Sequence, residues 1–232
     1  NCGTWLHCNN FRYHVWWHKA LLHLDQGDVD TVLSLYDDKI RADKTDDYRD
    51  IANASSLLMR LELEGQDVGN RWEELADLSE QRSEDGCLVF ADLHYMLSLV
   101  GGDRHQATAR LLARIRRDGQ VPEVEMDHIF MHPGTAFATG LAAFGEGRYE
   151  TAFTYMNKAR GAMQTVGGSH AQRDVFERLT IDAGIRAGRL DQAEAILHSR
   201  KAQRAGAEDR FATTRFTTIE AARREAVTVP AE

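Results

Sequence analysis

The sequence is poor in proline and cysteine and has no long apolar run. Only three prolines occur in 232 residues, so most of the backbone is free to form helices. Cys2, Cys8 and Cys87 are an odd set without metal-ligand spacing, which argues against a disulfide framework and favours a reducing, cytoplasmic compartment. No apolar stretch approaches the roughly 20 residues of a membrane span, and no secretory signal opens the chain. We therefore predict no membrane partner.

The chain also lacks a basic stripe. Its formal net charge is −8, and the densest basic cluster consists of Arg114, Arg116 and Arg117. That cluster lies near a predicted helix C-terminus, where cations compensate the helix dipole. Proteins that bind nucleic acid need clustered positive charge to neutralise phosphates. We therefore predict no nucleic-acid partner.

What the sequence does contain is a short motif in several copies. Its best example is the segment 147–159 (GRYETAFTYMNKA), in which a glycine ends one helix, polar residues start the next, and Ala152 is small where two helices approach closely. Weaker copies begin at Gly27, Gly69, Gly102 and Gly188. Spacings of roughly 33 to 45 residues are typical of arrays of helix pairs that bury their apolar faces against one another.

The motif predicts an all-α, tetratricopeptide-like superhelix of about five helix pairs with a concave groove. A single domain would then span residues 1–232, with repeats at 5–41, 48–82, 87–118, 133–166 and 170–205 and a capping helix at 211–226. The chain starts without Met and becomes aromatic and helix-like almost at once. We therefore expect it to be the C-terminal part of a longer protein, whose upstream repeat would pack on Trp5, Phe11 or Trp16.

Three stretches go beyond a generic repeat. Residues 10–21 (NFRYHVWWHKAL), 54–65 (ASSLLMRLELEG) and 167–176 (GGSHAQRDVF) resemble the tetratricopeptide repeat protein 38 family. The last stretch is the most specific, because packing of a helical repeat does not require Ser-His-Ala-Gln-Arg-Asp. The resemblance covers most of the chain in the same order. It implies a helical-repeat fold and a longer N-terminus, and it implies no particular reaction.

Ten histidines are many for this length, and some are paired. His14 and His18 lie four residues apart on a predicted helix and so share one face, and His128 and His132 repeat that spacing. Such a pair could start a transition-metal site if His94 or His170 supplied a further ligand. The alternative is that the imidazoles are packing residues. Since no HExxH or Cys-pair motif is present, we predict no metal and no cofactor.

The run 169–174 (SHAQRD) begins a predicted helix after a Gly-Gly turn. On a functional interpretation, the helix start offers backbone N–H groups, the guanidinium of Arg173 and the imidazole of His170 to an anionic or peptide ligand. On a structural interpretation, Ser169 caps the helix, Asp174 favours its positive end, and Arg173 pairs with an acidic neighbour across a helix interface.

Two adjacent residues on a helix differ in direction by about 100 degrees, so Trp16 and Trp17 cannot both point the same way. We expect one of them to pack in the core and the other to face the groove or the missing repeat. Packing in the core or at an interface is the favoured role, with stacking on a ligand as the alternative.

Two function hypotheses follow. The first is a non-catalytic interaction module that binds a peptide or protein partner in its groove. Its expected binding residues are His14, Trp17, His18, His94, His170, Gln172, Arg173 and Asp174. The second is an enzyme or an enzyme's accessory subunit with a small-molecule pocket, which would require the four named histidines to converge.

The histidine interpretation predicts the metal content of the protein. Elemental analysis of untagged protein should show less than one equivalent of zinc, nickel, copper or iron, because two imidazoles on one helix leave a site short of ligands. One equivalent that disappears in a His14→Ala, His18→Ala double variant would contradict this prediction.

Overall fold

The computed structural model describes residues 11–228, and its regular structure over that range is entirely helical. This confirms the all-α prediction. No helix between residues 11 and 228 combines the length and the apolar character needed to cross a bilayer. The expected helical residues before Phe11, including Trp5, lie outside the described residues, as do Cys2 and Cys8.

Twelve α-helices follow one another within the described range. They are α1 (Phe11–Gln26), α2 (Val29–Leu35), α3 (Tyr48–Leu63), α4 (Arg71–Gln81), α5 (Val89–Gly101), α6 (His105–Asp118), α7 (Glu125–Ile129), α8 (Thr135–Gly145), α9 (Tyr149–Ala159), α10 (His170–Arg186), α11 (Leu190–Gln203) and α12 (Arg210–Thr228). Three short segments prolong α2, α7 and α9: π-helical turns at Tyr36–Ile40 and Phe130–Gly134, and a 3-10 helix at Arg160–Val166.

Local signals in the sequence account for where several helices begin and end. Gly27 has φ +78°, a left-handed conformation that suits glycine and ends α1. Asp28 then caps α2, since its Oδ1 accepts from the Thr31 amide at 3.3 Å. Ser169 caps α10 in a reciprocal capping box with Gln172. The cap predicted at Ser169 is therefore confirmed, and Asp28 caps α2 in the same way.

Helices pack in sequential pairs, and small residues lie where the helices of a pair meet. Ala152 on α9 is fully buried, as expected. It faces Gly140 on α8, where an added Cβ would lie 3.1 Å from the Ala152 carbonyl oxygen and 2.4 Å from Met156 Cγ. Successive pairs stack through α3 on α5 and α5 on α8. The arrangement is compatible with an α-helical solenoid.

The array also makes contacts between helices that are far apart in sequence. Helix α10 of the last pair packs on α3, and α12 contacts α1. In an extended solenoid each repeat contacts only its neighbours. The described part of the chain therefore curls until its late helices meet its early ones.

The segment before α8 differs from expectation. The repeat predicted over residues 133–166 would start its first helix at Pro133, but α8 begins at Thr135. His132 has φ −155° and ψ 124°, which takes the backbone out of the helical path, and the His132–Pro133 peptide bond is cis. His128 and His132 therefore do not share one helix face, and the expected second histidine pair is wrong.

The close contact between α8 and α9 predicts the effect of enlarging Ala152. Ala152→Leu should lower the free energy of unfolding by about 1–3 kcal/mol, because the extra atoms overpack a filled interface. Chemical denaturation measures this difference. Thr154→Leu on the exposed side of the same helix is the matched control and should change stability by less than about 0.5 kcal/mol. Equal stability of the two variants would contradict the assigned interface.

Candidate functional site

A chain of polar side chains joins α1, α3 and α10. His18 Nε2 lies 3.1 Å from His14 Nε2, and His14 Nδ1 lies 3.2 Å from Asn53 Oδ1. The side-chain amide of Gln172 donates to the same Asn53 oxygen at 3.3 Å. Because that oxygen can only accept, this hydrogen bond requires a proton on His14 Nδ1, and in the neutral imidazole Nε2 then accepts from the Nε2–H of His18. These contacts join residues from three helices into one network, here called the histidine–amide network.

Trp17 supports the histidine–amide network from the core. Its ring stacks on His14 with centroids 5.3 Å apart, and its Nε1 donates to Ser56 Oγ at 3.2 Å. Trp17 is fully buried, and Trp16 is buried as well. The expectation that one of the two tryptophans faces a groove is therefore wrong, because both are buried where α1 packs on α2 and α3.

Next to this network lies a cleft of about 550 Å³, here called the apolar cleft. Its lining comprises Phe11, His14, Tyr48, Arg49, Asn53, Leu88, Phe90, Val166, Gly167, Gly168 and Gln172. Aromatic and aliphatic side chains form most of this surface, and the imidazole and the two amides of the histidine–amide network form one edge of it. Phe11 is 61% exposed. The cleft thus offers apolar contact and a few polar groups in one place.

One wall of the apolar cleft is the turn Gly167–Gly168, which Arg173 holds. Arg173 Nη1 donates to the carbonyl oxygens of Gly167, at 2.8 Å, and Gly168. Gly168 has φ +70°, and an added Cβ would lie 2.3 Å from the Phe90 ring, so only glycine fits. Arg173 has no carboxylate within ion-pairing distance among residues 11–228. The expected pairing of Arg173 with an acidic neighbour is therefore not observed.

Asp174 lies instead in a buried ionic network with Arg178, Arg200 and Asp209. Arg200 donates to both oxygens of Asp174, at 2.6 and 3.0 Å, and also to Asp209. Arg178 bridges the same two carboxylates at 2.9 and 3.0 Å. All four side chains are buried. Asp174 is thus a structural residue that fixes α10 against α11 and the start of α12, and it presents little surface to a ligand.

The two carboxylates of this network are held in the charged state. Burial by itself raises the pKa of Asp174, but the attraction of Arg178 and the hydrogen bonds from Arg200 outweigh it, so the pKa lies well below its usual range. Burial likewise opposes ionisation of Asp209, yet Arg200 and Arg178 lower its pKa to about 2. Every buried negative charge here therefore has a guanidinium partner.

Two further arginines extend the ionic network to α3. Arg60, fully buried, donates to the Ser56 carbonyl at 2.9 Å and to the Ala171 carbonyl of α10 at 2.7 Å. Arg215 of α12 pairs with Asp182 of α10 at 2.6 Å and donates to the Leu63 carbonyl. The carbonyl oxygens of α3 thus accept from side chains that hold the last helices in place.

His94 takes no part in any cleft described here. It is completely buried on α5, where Nδ1 donates to the Phe90 carbonyl at 2.7 Å and the ring packs edge-on against Phe176. Burial lowers the pKa of His94 to about 4, so the imidazole is neutral at pH 7. His94 therefore lies in the core, and the prediction that it lies on a binding surface is wrong.

The four named histidines do not converge on one pocket. His14 lines the apolar cleft, whereas His18 and His170 line a second cleft of about 280 Å³ between α1 and α10. His170 Nε2 lies 3.3 Å from Gln203 Oε1. Within residues 11–228 no group of three or more His, Cys, Asp or Glu side chains is arranged to hold a metal ion. The arrangement that would favour the enzyme hypothesis is therefore not formed.

Sequence reasoning missed Asn53 and the arginines of the ionic network. Asn53 joins His14 to Gln172 only because α10 packs on α3, and nothing near it in sequence indicates that contact. Arg60 did carry a signal, since it lies within the apolar run LLMRLEL, and a charge inside such a run needs a buried partner. The sequence did not indicate that this partner is the Ala171 carbonyl, 111 residues away.

No protein-family model matches the chain, and no solved structure matches it.

The ionic network predicts a large effect of removing Asp174. Asp174→Ala should lower the free energy of unfolding by about 3–5 kcal/mol, because Arg178 and Arg200 then keep buried charge without full compensation. Urea denaturation followed by circular dichroism measures the loss. Asp191→Ala is the control: that side chain is 93% exposed beside Arg223, and its removal should cost less than about 1 kcal/mol. Similar losses for both variants would contradict the structural role of Asp174.

Proposed function

We propose that this chain is a tetratricopeptide-like helical-repeat binding module that holds a short peptide segment of a partner protein in the apolar cleft. The single observation that carries the proposal is the composition of that cleft. Apolar side chains such as Tyr48 and Leu88 would contact an apolar residue of the peptide. Gln172 is half-buried at the edge, and its side-chain amide, which donates one N–H to Asn53, has a second N–H for the polar backbone of an extended peptide.

The packing of α10 on α3 supports a short ligand in preference to a long one. Arg60 on α3 donates to the Ala171 carbonyl of α10. The two helices are therefore in direct contact at this point of the inner face. A partner's helix laid along the whole inner face would have to displace that contact. The apolar cleft, in contrast, is open at the side of the array and has a volume in the range of small-ligand sites.

A small apolar molecule is the alternative ligand, in an enzyme or an enzyme's accessory subunit. The observation that favours it is His14, a titratable group at the edge of an apolar cleft, which is the usual setting for acid–base chemistry. The peptide is preferred because His14 is already engaged on both ring nitrogens, by His18 and Asn53.

We also propose that the chain is similar to the tetratricopeptide repeat protein 38 family and is cytoplasmic. The first proposal rests on the three stretches at 10–21, 54–65 and 167–176, two of which contribute to the wall of the apolar cleft. The second rests on the odd, unpatterned cysteines.

Panning random linear peptides against the immobilised chain tests the binding function. Enriched peptides should share an apolar residue, and a fluorescent copy should bind wild-type protein saturably in an anisotropy titration. Leu88→Asp and Phe11→Ser should each weaken binding at least tenfold, or about 1.4 kcal/mol, because each removes apolar contact from the cleft. Leu88 precedes α5 with an extended backbone, where aspartate is a favourable helix cap, so that variant should fold.

Val121→Asp is the matched control, since Val121 is 73% exposed and lies outside the cleft lining. It should bind the peptide as wild type does. If no peptide is enriched, or if Leu88→Asp binds equally well, the peptide proposal is wrong. Native mass spectrometry identifies the alternative: a small molecule retained by wild type and lost from Leu88→Asp would assign the cleft to that ligand.

A further inference from the structure

A third cavity lies beside the first turns of α10, across the Gly167–Gly168 turn from the apolar cleft. It has a volume of about 180 Å³ and lies between the 3-10 segment Arg160–Val166, the first turns of α10 and the end of α11. Its lining is Phe137, Arg160, Gly161, Met163, Gln164, His170, Arg173, Asp174, Phe176, Glu177, Arg200 and Gln203. We call it the arginine pocket. A cavity of about 150 Å³ accommodates a molecule the size of benzene, so an oxyanion with a few attached atoms fits here.

The arginine pocket has more positive than negative charge. Three guanidinium groups and two carboxylates line it, which leaves one positive charge in excess before His170 is counted. Asp174 is fully engaged by Arg178 and Arg200 in the ionic network. Glu177 is therefore the one carboxylate of the lining left to face the remaining arginines.

Arg160 and Arg173 are the cations of the pocket with spare donors. Arg160 Nε lies 3.4 Å from Glu177 Oε1 without forming a hydrogen bond to it. Arg173 donates through Nη1 alone, to two carbonyl oxygens, which leaves Nε and Nη2 for another acceptor. A guanidinium fork matches the two oxygens of a carboxylate or phosphate group.

The polar rim of the pocket suits the same ligand. Gln203 Oε1 lies 3.3 Å from His170 Nε2 at its edge, which leaves the side-chain NH2 of Gln203 to donate to an oxyanion. At the helix N-terminus the backbone amides of Ser169, Gln172 and Arg173 are already engaged by the capping box and the first helical hydrogen bond. Side chains, and chiefly the two arginines, therefore make up the recognition surface.

We propose that the arginine pocket binds a small oxyanion, the carboxylate or phosphate group of a small molecule, between Arg160 and Arg173. The site is separate from the apolar cleft, which lies across the Gly167–Gly168 turn. It assigns to Arg173 a ligand-binding role in addition to its bonds to that turn.

Isothermal titration with sodium phosphate and with sodium succinate tests the proposal, at constant ionic strength set with sodium chloride. Wild-type protein should bind at least one of the two anions saturably at one site. Arg160→Gln and Arg173→Gln should each weaken that binding at least tenfold, because each removes one charged fork. Arg148→Gln is the matched control: Arg148 is 53% exposed beside Glu146 and does not line the pocket, and its loss should leave affinity unchanged.

Arg160→Gln is the decisive variant, because Arg173 also holds the Gly167–Gly168 turn and its loss can disturb the apolar cleft. An unchanged melting curve and unchanged peptide binding for Arg160→Gln, with loss of anion binding, would support the arginine pocket alone. Binding of phosphate but not succinate would identify a phosphate group, and the reverse a carboxylate. No saturable binding of either anion, or equal binding by all variants, would overturn the proposal.

Discussion

The buried pairing of Asp174 and Asp209 with Arg178 and Arg200 is the constraint on which the last third of the structure depends. A buried charge is tolerated only when a partner and hydrogen bonds compensate the lost water. These four side chains come from α10, α11 and the residue before α12, so satisfying them sets the relative positions of three helices. Arg60 then connects that unit to α3 through the Ala171 carbonyl. The curl of the array, in which α10 contacts α3 and α12 contacts α1, therefore depends on the pairing of these charges.

Three neighbouring residues at the start of α10 lie in three different environments. Gln172 reaches the histidine–amide network and the apolar cleft, Arg173 holds the preceding turn and lines the arginine pocket, and Asp174 enters the ionic network. Successive helical residues point about 100 degrees apart, which is why three neighbours can serve three environments. A stretch that looks like one polar motif in sequence is therefore three separate contacts in space. The apolar cleft and the arginine pocket lie on either side of this stretch.

Much of the fold was predictable because its signals are local. Gly27 ends a helix and Asp28 starts the next within a few residues, and Ala152 lies at the helix contact that its repeat position predicts. In the candidate site, the contact between His14 and His18 was predictable for the same reason, because residues four apart on a helix share a face. The second histidine pair failed because the backbone leaves the helical path at His132, which no helical spacing rule anticipates.

The sequence by itself determined the helices, their caps and their pairing, because helix periodicity and capping act within one or two turns. Only the tertiary structure decided which polar residues meet. The contacts of Gln172 with Asn53 and of Arg60 with Ala171 join residues 119 and 111 positions apart. The same long-range packing buried Trp17 and His94, which local patterns placed on a binding surface. Burial and partner choice depend on which helices the curl of the array brings together, and that is a property of the whole chain.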